Sequence, residues 1–305
     1  MHTITGTTAN ANTIYAQTST FTGLGTENIT ITGETSNTLG AAALNTLNGN
    51  TTGNINANTV TTLTGSISAL NTAYAASAST GDGISNLGDE AITLSDTSVT
   101  DVAALNTLNG NTTGLIDAGT NVTSFTGSIS ALNTMFAAAG DSGDKIDFGG
   151  TSGAATQTVT ISDTTDVSVT GLNTLNSNTT GNIDATNVTS LASASISDIK
   201  TLLTNGNNTT NNFAATSFQS LATVAVSGTS VSVTDLNDAI DQANTATGGT
   251  STVFSVASGA TITTGDDAEF TALRGHESNG NIDITDQNLT VSSGFVTVDL
   301  SLIHI

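Results

Sequence analysis

The chain lacks cysteine, proline and tryptophan, and it is poor in positive charge. Its 305 residues include 3 Lys+Arg against 25 Asp+Glu, which gives a net charge of −22. Without cysteine there can be neither disulfides nor thiolate metal sites. The scarcity of basic residues excludes a phosphate-binding footprint, so we expect no nucleic-acid partner. No apolar run reaches the roughly 18 residues that a membrane-spanning helix requires, so we expect no membrane span.

Internal repeats dominate what is present. The segment 43–53 recurs unchanged at 104–114 and returns with two substitutions at 171–181. A second unit, 64–72, recurs as 126–134. Both units contain the sequence Ala-Leu-Asn-Thr, which indicates one ancestral half-repeat. Self-similarity at such spacings is typical of repeat architectures.

One apolar residue marks the centre of each half-repeat, and its spacing alternates between 26–27 and 35–40 residues. The short spacing predicts a rigid half-repeat, and the long spacing predicts insertions at every second junction. We expect the resulting loops, 77–87, 140–155 and 205–218, to cluster on one flank and to carry interactions. We also expect all of the markers to be buried. They are Leu44, Leu70, Leu105, Leu132, Leu172, Ile199 and Leu236.

Each half-repeat shows a strand pattern followed by a helix pattern. Apolar residues at period two predict strands, and apolar residues three and four apart predict helices. Thr100 and Thr234 are expected N-caps, and Gly49 and Gly110 are expected left-handed residues at helix ends. The predicted strands centre on Ile29 and Ile31, Ile92 and Leu94, Val159 and Ile161, and Val224 and Val226, with weaker ones at Ile55, Ile116 and Ile183.

These patterns predict a repeat solenoid, namely a right-handed β/α solenoid with parallel strands. Neither a strand nor a short helix of this size buries its apolar face alone, whereas stacked neighbours do. An all-β parallel β-helix is the alternative, because threonine and asparagine favour stacked turns over helices. We expect a partial repeat or incoming strand at 1–28, the solenoid at 29–245, a diverged β-rich module or cap at 246–300, and a non-native tail at 301–305. Within the diverged module, 253–256, 261–264, 282–284 and 295–300 are predicted strands.

Few residues are available for catalysis, which requires convergent acid, base and electrophile groups. The candidates other than acids are His2, His276, His304, Lys145, Lys200 and Arg274. Arginine, histidine and glutamate cluster only at 274–277, which is either a small anion or carbohydrate site or a polar loop. We therefore expect no catalytic residues, no enzymatic activity and no obligate cofactor.

A bound calcium ion is better supported by the sequence than a catalytic site. Asp96 and Asp163 follow equivalent strands, and Asp117 and Asp184 match each other, with Asn56 in the first copy. Loop carboxylates and amides supply the oxygens that Ca²⁺ prefers, although neither an EF-hand loop nor a glycine-rich calcium nonapeptide is present. The alternative is that these side chains cap turns. A further acidic cluster surrounds Gly143: Asp141, Asp144 and Asp147.

The phrases at 92–97, 105–114 and 122–127 resemble repeat regions of very large surface proteins of cyanobacteria and other marine bacteria. Such regions often accompany hemolysin-type calcium-binding proteins, and the resemblance covers about residues 25–245. It implies export and a structural or adhesive role. We therefore expect an extracellular, non-enzymatic stalk segment whose partners are neighbouring repeats, surface glycans or other surface proteins. A calcium-binding module of a secreted toxin-like protein is the first alternative, and a secreted polysaccharide-active β-helix enzyme is the second.

Overall fold

The computed structural model describes residues 2–17, 19–77, 83–139, 145–149, 156–207, 212–214, 217–249, 252–264, 267–284 and 288–291. They belong to two compact units. The first unit comprises Met1–Phe125 and Thr134–Gln157, and the second comprises Thr126–Asn133 and Thr158–Ile305.

Both units consist of short strands that alternate with helices. The helices are α1 Thr8–Ala16, α2 Ala41–Asn50, α3 Ile67–Ser77, α4 Val102–Asn111, α5 Ile129–Ala139, α6 Val169–Asn178, α7 Ile196–Gly206, α8 Val233–Thr247 and α9 Asp267–Ser278. The strands are β1 Thr3–Gly6, β2 Asn28–Ile31, β3 Thr38–Gly40, β4 Ile55–Asn56, β5 Thr62–Gly65, β6 Ile84–Ser85, β7 Ala91–Leu94, β8 Ser98–Val99, β9 Ile116–Asp117, β10 Ser124–Gly127, β11 Ile146–Asp147, β12 Thr158–Ile161, β13 Ile183–Asp184, β14 Ser190–Ser195, β15 Thr223–Ser227, β16 Ser230–Ser232, β17 Val253–Val256, β18 Thr261–Thr264, β19 Ile282–Asp283 and β20 Asn288–Val291.

The strand pairs within each unit are parallel. In the first unit the sheets have the orders β1-β2-β4-β6 and β3-β5-β7-β9-β11, and β8 pairs with β10. In the second unit β12 pairs with β13, and two sheets have the orders β14-β15-β17-β19 and β16-β18-β20. Parallel neighbours need crossover connections, and the helices supply them. The predicted parallel strands and helices are therefore confirmed, whereas the all-β alternative is wrong because the Ala-Leu-Asn-Thr segments are helical.

Strands β2, β7, β12 and β15 precede every second helix, namely α2, α4, α6 and α8, and we call them junction strands. Three of them join strands of two kinds. β2 lies between β1, which precedes α1, and β4, which follows α2. β7 lies between β5, which precedes α3, and β9, which follows α4. In the second unit, β15 lies between β14, which precedes α7, and β17, which follows α8. The structural repeat therefore contains two helices.

The core includes the apolar residues that the periodicity selects. All seven half-repeat markers have no exposed surface, as predicted. The inward residues of the predicted strands are also buried, for example Ile92, Leu94, Val159 and Ile161. The sequence pattern does not predict β5, because Thr62–Gly65 contributes only one buried apolar residue, Leu63.

The helix ends differ from the sequence-based expectation. Asp101, and not Thr100, is the N-cap of α4, since its carboxylate accepts hydrogen bonds from the next helical N–H groups. Ser232 caps α8, so Thr234 already lies inside that helix. Gly49 and Gly110 also lie inside helices, which end at extended threonines without a left-handed residue. The expected caps at Thr100 and Thr234 and the expected left-handed residues at Gly49 and Gly110 are therefore wrong.

The strand–helix order continues beyond residue 245. β17 pairs with β15, β18 pairs with β16, and α9 follows β18. The strands expected at 253–256 and 261–264 are present, and the strand expected at 282–284 is present as β19. The strand expected at 295–300 and the tail 301–305 lie outside the described residues.

Candidate functional sites

We call one strand–helix unit a coil. Two of the aspartates considered for calcium follow a strand and cap the helix of the coil before it. Asp96 Oδ2 accepts a hydrogen bond from Ile67 N, the first residue of α3, at 2.8 Å. Asp163 Oδ2 accepts one from Ile129 N, the first residue of α5, at 2.6 Å. Helix N-termini carry exposed N–H donors and partial positive charge, which a carboxylate satisfies. These two side chains therefore join a junction strand to a helix from an earlier coil, a contact that the sequence does not reveal.

The aspartates and the asparagine that follow the short strands close turns. Asp117 Oδ1 accepts from Gly119 N and Thr120 N at 3.0 and 2.9 Å. Asp184 Oδ1 accepts from Thr186 N, and Asn56 Oδ1 accepts from Asn58 N. The capping alternative offered by the sequence describes these contacts.

No group of three or more His, Cys, Asp or Glu side chains suited to a metal ion occurs among the described residues. Asp147 lies at the end of β11, where its Oδ1 accepts a hydrogen bond from Gly149 N at 2.8 Å. Asp141, Asp144 and Gly143 lie outside the described residues.

The Arg-His-Glu cluster at 274–277 lies in helix α9, so the interpretation of this stretch as a polar loop is wrong. His276 Nε2 lies 3.7 Å from Asp241 Oδ1 of α8. Leu273, which directly precedes the cluster in this helix, is fully buried.

The remaining basic candidates are scattered. Lys200 of α7 forms ion pairs with Asp235 and Asp238 of α8, each at 2.8 Å. Hydrogen bonding to Asp235, reinforced by Asp238, raises the pKa of Lys200 to about 12. Lys145 is exposed, and its backbone N–H donates to the backbone carbonyl of Ala138. His2 is exposed at the start of the described chain, and His304 lies outside the described residues.

A row of asparagine amides joins neighbouring helices, and we call it the asparagine ladder. At the fifth residue of a helix, the amide donates to the carbonyl of the third residue in the next helix. The same position in α7 carries Lys200, whose ammonium instead bonds Asp235, the third residue of α8. In the first unit the ladder bonds are Asn12 to Ala43, Asn45 to Ala69 and Asn71 to Ala104, at 3.0, 2.8 and 2.9 Å. In the second unit they are Asn133 to Gly171, Asn173 to Asp198 and Asn237 to Glu269, at 3.0, 3.4 and 2.9 Å.

Two buried glutamates lie beside the two tyrosines of the chain. Tyr15 Oη donates to Glu27 Oε2 at 3.1 Å, and Tyr74 Oη donates to Glu90 Oε2 at 3.0 Å. Burial raises the pKa of both tyrosines. Hydrogen bonding, led by the backbone N–H of Gly25, lowers the pKa of Glu27. The sequence analysis did not single out these pairs, because tyrosine and glutamate are well separated along the chain.

A cleft of about 590 Å³ lies between α3 and α4. Its lining includes Asp96, Asp101, Ser98 and Asn71, and no histidine, basic residue or aromatic ring is among the residues that line it. Both carboxylates already accept N–H groups at helix N-termini. The rest of the lining combines hydroxyl groups with apolar side chains, including Ile67 and Val99.

Comparison with known proteins gives no family assignment. No protein-family model matches the chain, and no curated protein matches it. Among the described residues, no helix is long and apolar enough to cross a membrane.

Proposed function

We propose that this chain is a non-enzymatic structural repeat segment, the stalk of a large bacterial surface or secreted protein. In this proposal the strand–helix coils continue as a single β/α solenoid, and neighbouring repeats of a longer chain are its principal partners. Surface glycans or other surface proteins are its external partners.

The asparagine ladder is the observation that carries the proposal. Its amides hold neighbouring helices at equivalent positions in both units, from Asn12 to Asn237. Asp96 and Asp163, which the sequence offers as ligand groups, are likewise bonded within the fold. Side chains that recur with the repeat and bond between coils serve stacking, which is the source of stability in repeat proteins.

The composition supports an extracellular setting. A chain without cysteine does not depend on the redox state of its surroundings. A net charge of −22 opposes self-association of a repeated structure. The resemblance of the repeats to those of exported surface proteins points to the same location.

Thermal unfolding in the presence of calcium distinguishes the stalk from a calcium-loaded module. We expect the same Tm in chelator, in calcium and in magnesium at equal ionic strength, because the aspartates already accept bonds from the protein. A ligand that binds the folded state raises Tm with its concentration. A rise specific to calcium would favour the calcium-binding alternative over the stalk.

A second experiment tests the absence of catalysis. The purified chain is incubated with marine polysaccharides, and release of reducing ends is measured. We expect none above the level of a boiled sample. Activity that disappears on Asp96→Asn or Asp101→Asn, the two cleft carboxylates, would contradict the proposal, because paired carboxylates are the machinery of glycoside hydrolysis.

A further inference from the structure

The junctions between double repeats contain a recurrent buried cluster. Tyr15 and Tyr74 are each the eighth residue of their helices, α1 and α3, and Glu27 and Glu90 each directly precede a junction strand. Glu27 is 8% exposed and Glu90 is 1% exposed. We call each hydrogen-bonded pair a tyrosine clasp.

Each clasp also contacts the following coil. Thr51 Oγ1, just after α2, donates to Glu27 O at 2.8 Å. Thr112 Oγ1, just after α4, donates to Glu90 O at 3.3 Å. A clasp therefore joins a helix, a junction strand and the turn of the next helix at one point.

The third junction is a natural neutral counterpart. Phe136 is the eighth residue of α5, and Gln157 directly precedes β12, so they occupy the clasp positions. Phe136 has no hydroxyl, and it packs against Phe148 at a ring separation of 5.3 Å. Gln157 donates Nε2 to Phe148 O at 3.1 Å. The tyrosine hydroxyl and the carboxylate are thus replaced together within one chain.

We propose that the two tyrosine clasps are acid-released latches: acid loosens the first two junctions while the helices and strands remain, and the Phe136–Gln157 junction stays closed.

The hydrogen bonds in the first clasp favour the ionised form of Glu27. Its Oε2 accepts from Gly25 N at 2.7 Å and Thr26 N at 3.1 Å as well as from Tyr15. Tyr15 is the titratable group that faces it from α1, and the turn after α2 contributes none. From the side of β1, His2 contributes its carbonyl, which accepts from Asn28 N.

Glu90 has fewer donors. Its Oε2 accepts from Tyr74 and from Gly88 N, and its buried Oε1 has no hydrogen-bond partner among the described residues. Tyr74 faces it from α3, Asp89 adjoins it in the chain, and the turn after α4 contributes no titratable group.

The sign of the pH dependence follows from Glu27. Its pKa in the folded protein is lower than the ordinary value of 4.5. Such a group stabilises the fold above the ordinary pKa, and this contribution is lost as pH falls through the lowered pKa. The Tyr15–Glu27 clasp should therefore open on acidification below about pH 4.5.

Near-UV circular dichroism tests the proposal, because the chain has two tyrosines and no tryptophan. At wavelengths longer than the phenylalanine bands, its aromatic signal therefore comes from the two clasp tyrosines alone. We expect the tyrosine signal to decline at higher pH than the far-UV signal. In the variant Glu27→Gln/Glu90→Gln, which keeps both reporters, we expect the separate step to vanish. The variant Phe136→Tyr/Gln157→Glu should enlarge the step by adding a third clasp.

Coincident near-UV and far-UV transitions in the wild type would overturn the proposal. An unchanged tyrosine step in Glu27→Gln/Glu90→Gln would overturn it equally. Should that variant fail to fold, the single variants Glu27→Gln and Glu90→Gln provide the same comparison, each with one clasp left intact.

Discussion

A pair of leucines, one buried and one exposed, tests whether the half-repeat markers form the stabilising core. Leu105 in α4 has no exposed surface, whereas Leu115, just before β9, is 46% exposed. Truncation of a fully buried leucine to alanine removes its transfer free energy and leaves a cavity, so Leu105→Ala should lower the free energy of unfolding by about 2–5 kcal/mol. Leu115→Ala should stay within about 0.5 kcal/mol of the wild type.

Urea denaturation followed by far-UV circular dichroism measures both variants against the wild type. The dependence of the free energy of unfolding on urea concentration, the m-value, should be the same in both variants as in the wild type. A difference in midpoint then reports a difference in stability alone. The reasoning would be refuted by a cost below about 0.5 kcal/mol for Leu105→Ala. It would be refuted as well if the exposed Leu115 cost as much as the buried Leu105.

Two further matched pairs test the contacts between coils. A Cβ on Gly114 would clash with the carbonyl oxygen of Glu90, whereas a Cβ on Gly110 would meet nothing within 4 Å. Gly114→Ala should therefore destabilise the chain. Gly110→Ala should stabilise it by up to about 1 kcal/mol, since alanine favours a helix interior. In the asparagine ladder, Asn71→Leu removes the bond to the next helix and should cost about 0.5–1.5 kcal/mol in urea denaturation. Thr72→Ala, which removes only a bond within α3, is its control. An equal effect of the two glycine changes, or a larger cost for Thr72→Ala than for Asn71→Leu, would contradict the stacking contacts.

The periodicity of apolar residues predicted much of the fold. Ile92 and Leu94 alternate as a buried strand does, and Leu105 and Leu108 lie three apart on the buried side of α4. These patterns are local, and burial in a stacked core is their direct physical cause. Strand β5 escaped prediction because a strand with a single inward apolar residue leaves no periodic signal.

The roles of the polar residues were not readable in the same way. Asp96 follows a strand in a pattern that suits either a metal ligand or a turn, and its actual partner, Ile67 N, is 29 residues away. Asn45 recurs in every copy of its unit, yet its acceptor, Ala69 O, belongs to the next helix. Such contacts depend on which coils lie side by side, and this is a consequence of stacking that no local spacing encodes.

The helix ends were predicted from capping propensities alone, and these do not determine which of two neighbouring residues is the cap. Thr100 and Asp101 are both good N-caps, and only the direction of the chain after β8 determines that Asp101 takes the position. The glycine at 110 precedes the helix end by one residue, and Thr112 leaves the helix in an extended conformation.

Deletion of one double repeat tests the central claim, that the coils are stacked equivalents, most directly. Removal of residues 92–158 joins Ala91 to Val159, so one junction strand replaces another and Glu90 keeps Tyr74. Thr179 and Gly181, the repeat equivalents of Thr112 and Gly114, then take the places of those residues. Removal of residues 99–124 alone takes away Thr112 and Gly114, which pack on Glu90, and brings no equivalent residues in their place, so it serves as the contrasting deletion. Because the stability of a repeat protein is a sum of repeats and their interfaces, the account predicts that the double-repeat deletion folds as a monomer. Its far-UV signal per residue should equal that of the wild type, and the single-coil deletion should be less stable. An unfolded or aggregated double-repeat deletion beside a well-folded single-coil deletion would contradict the account.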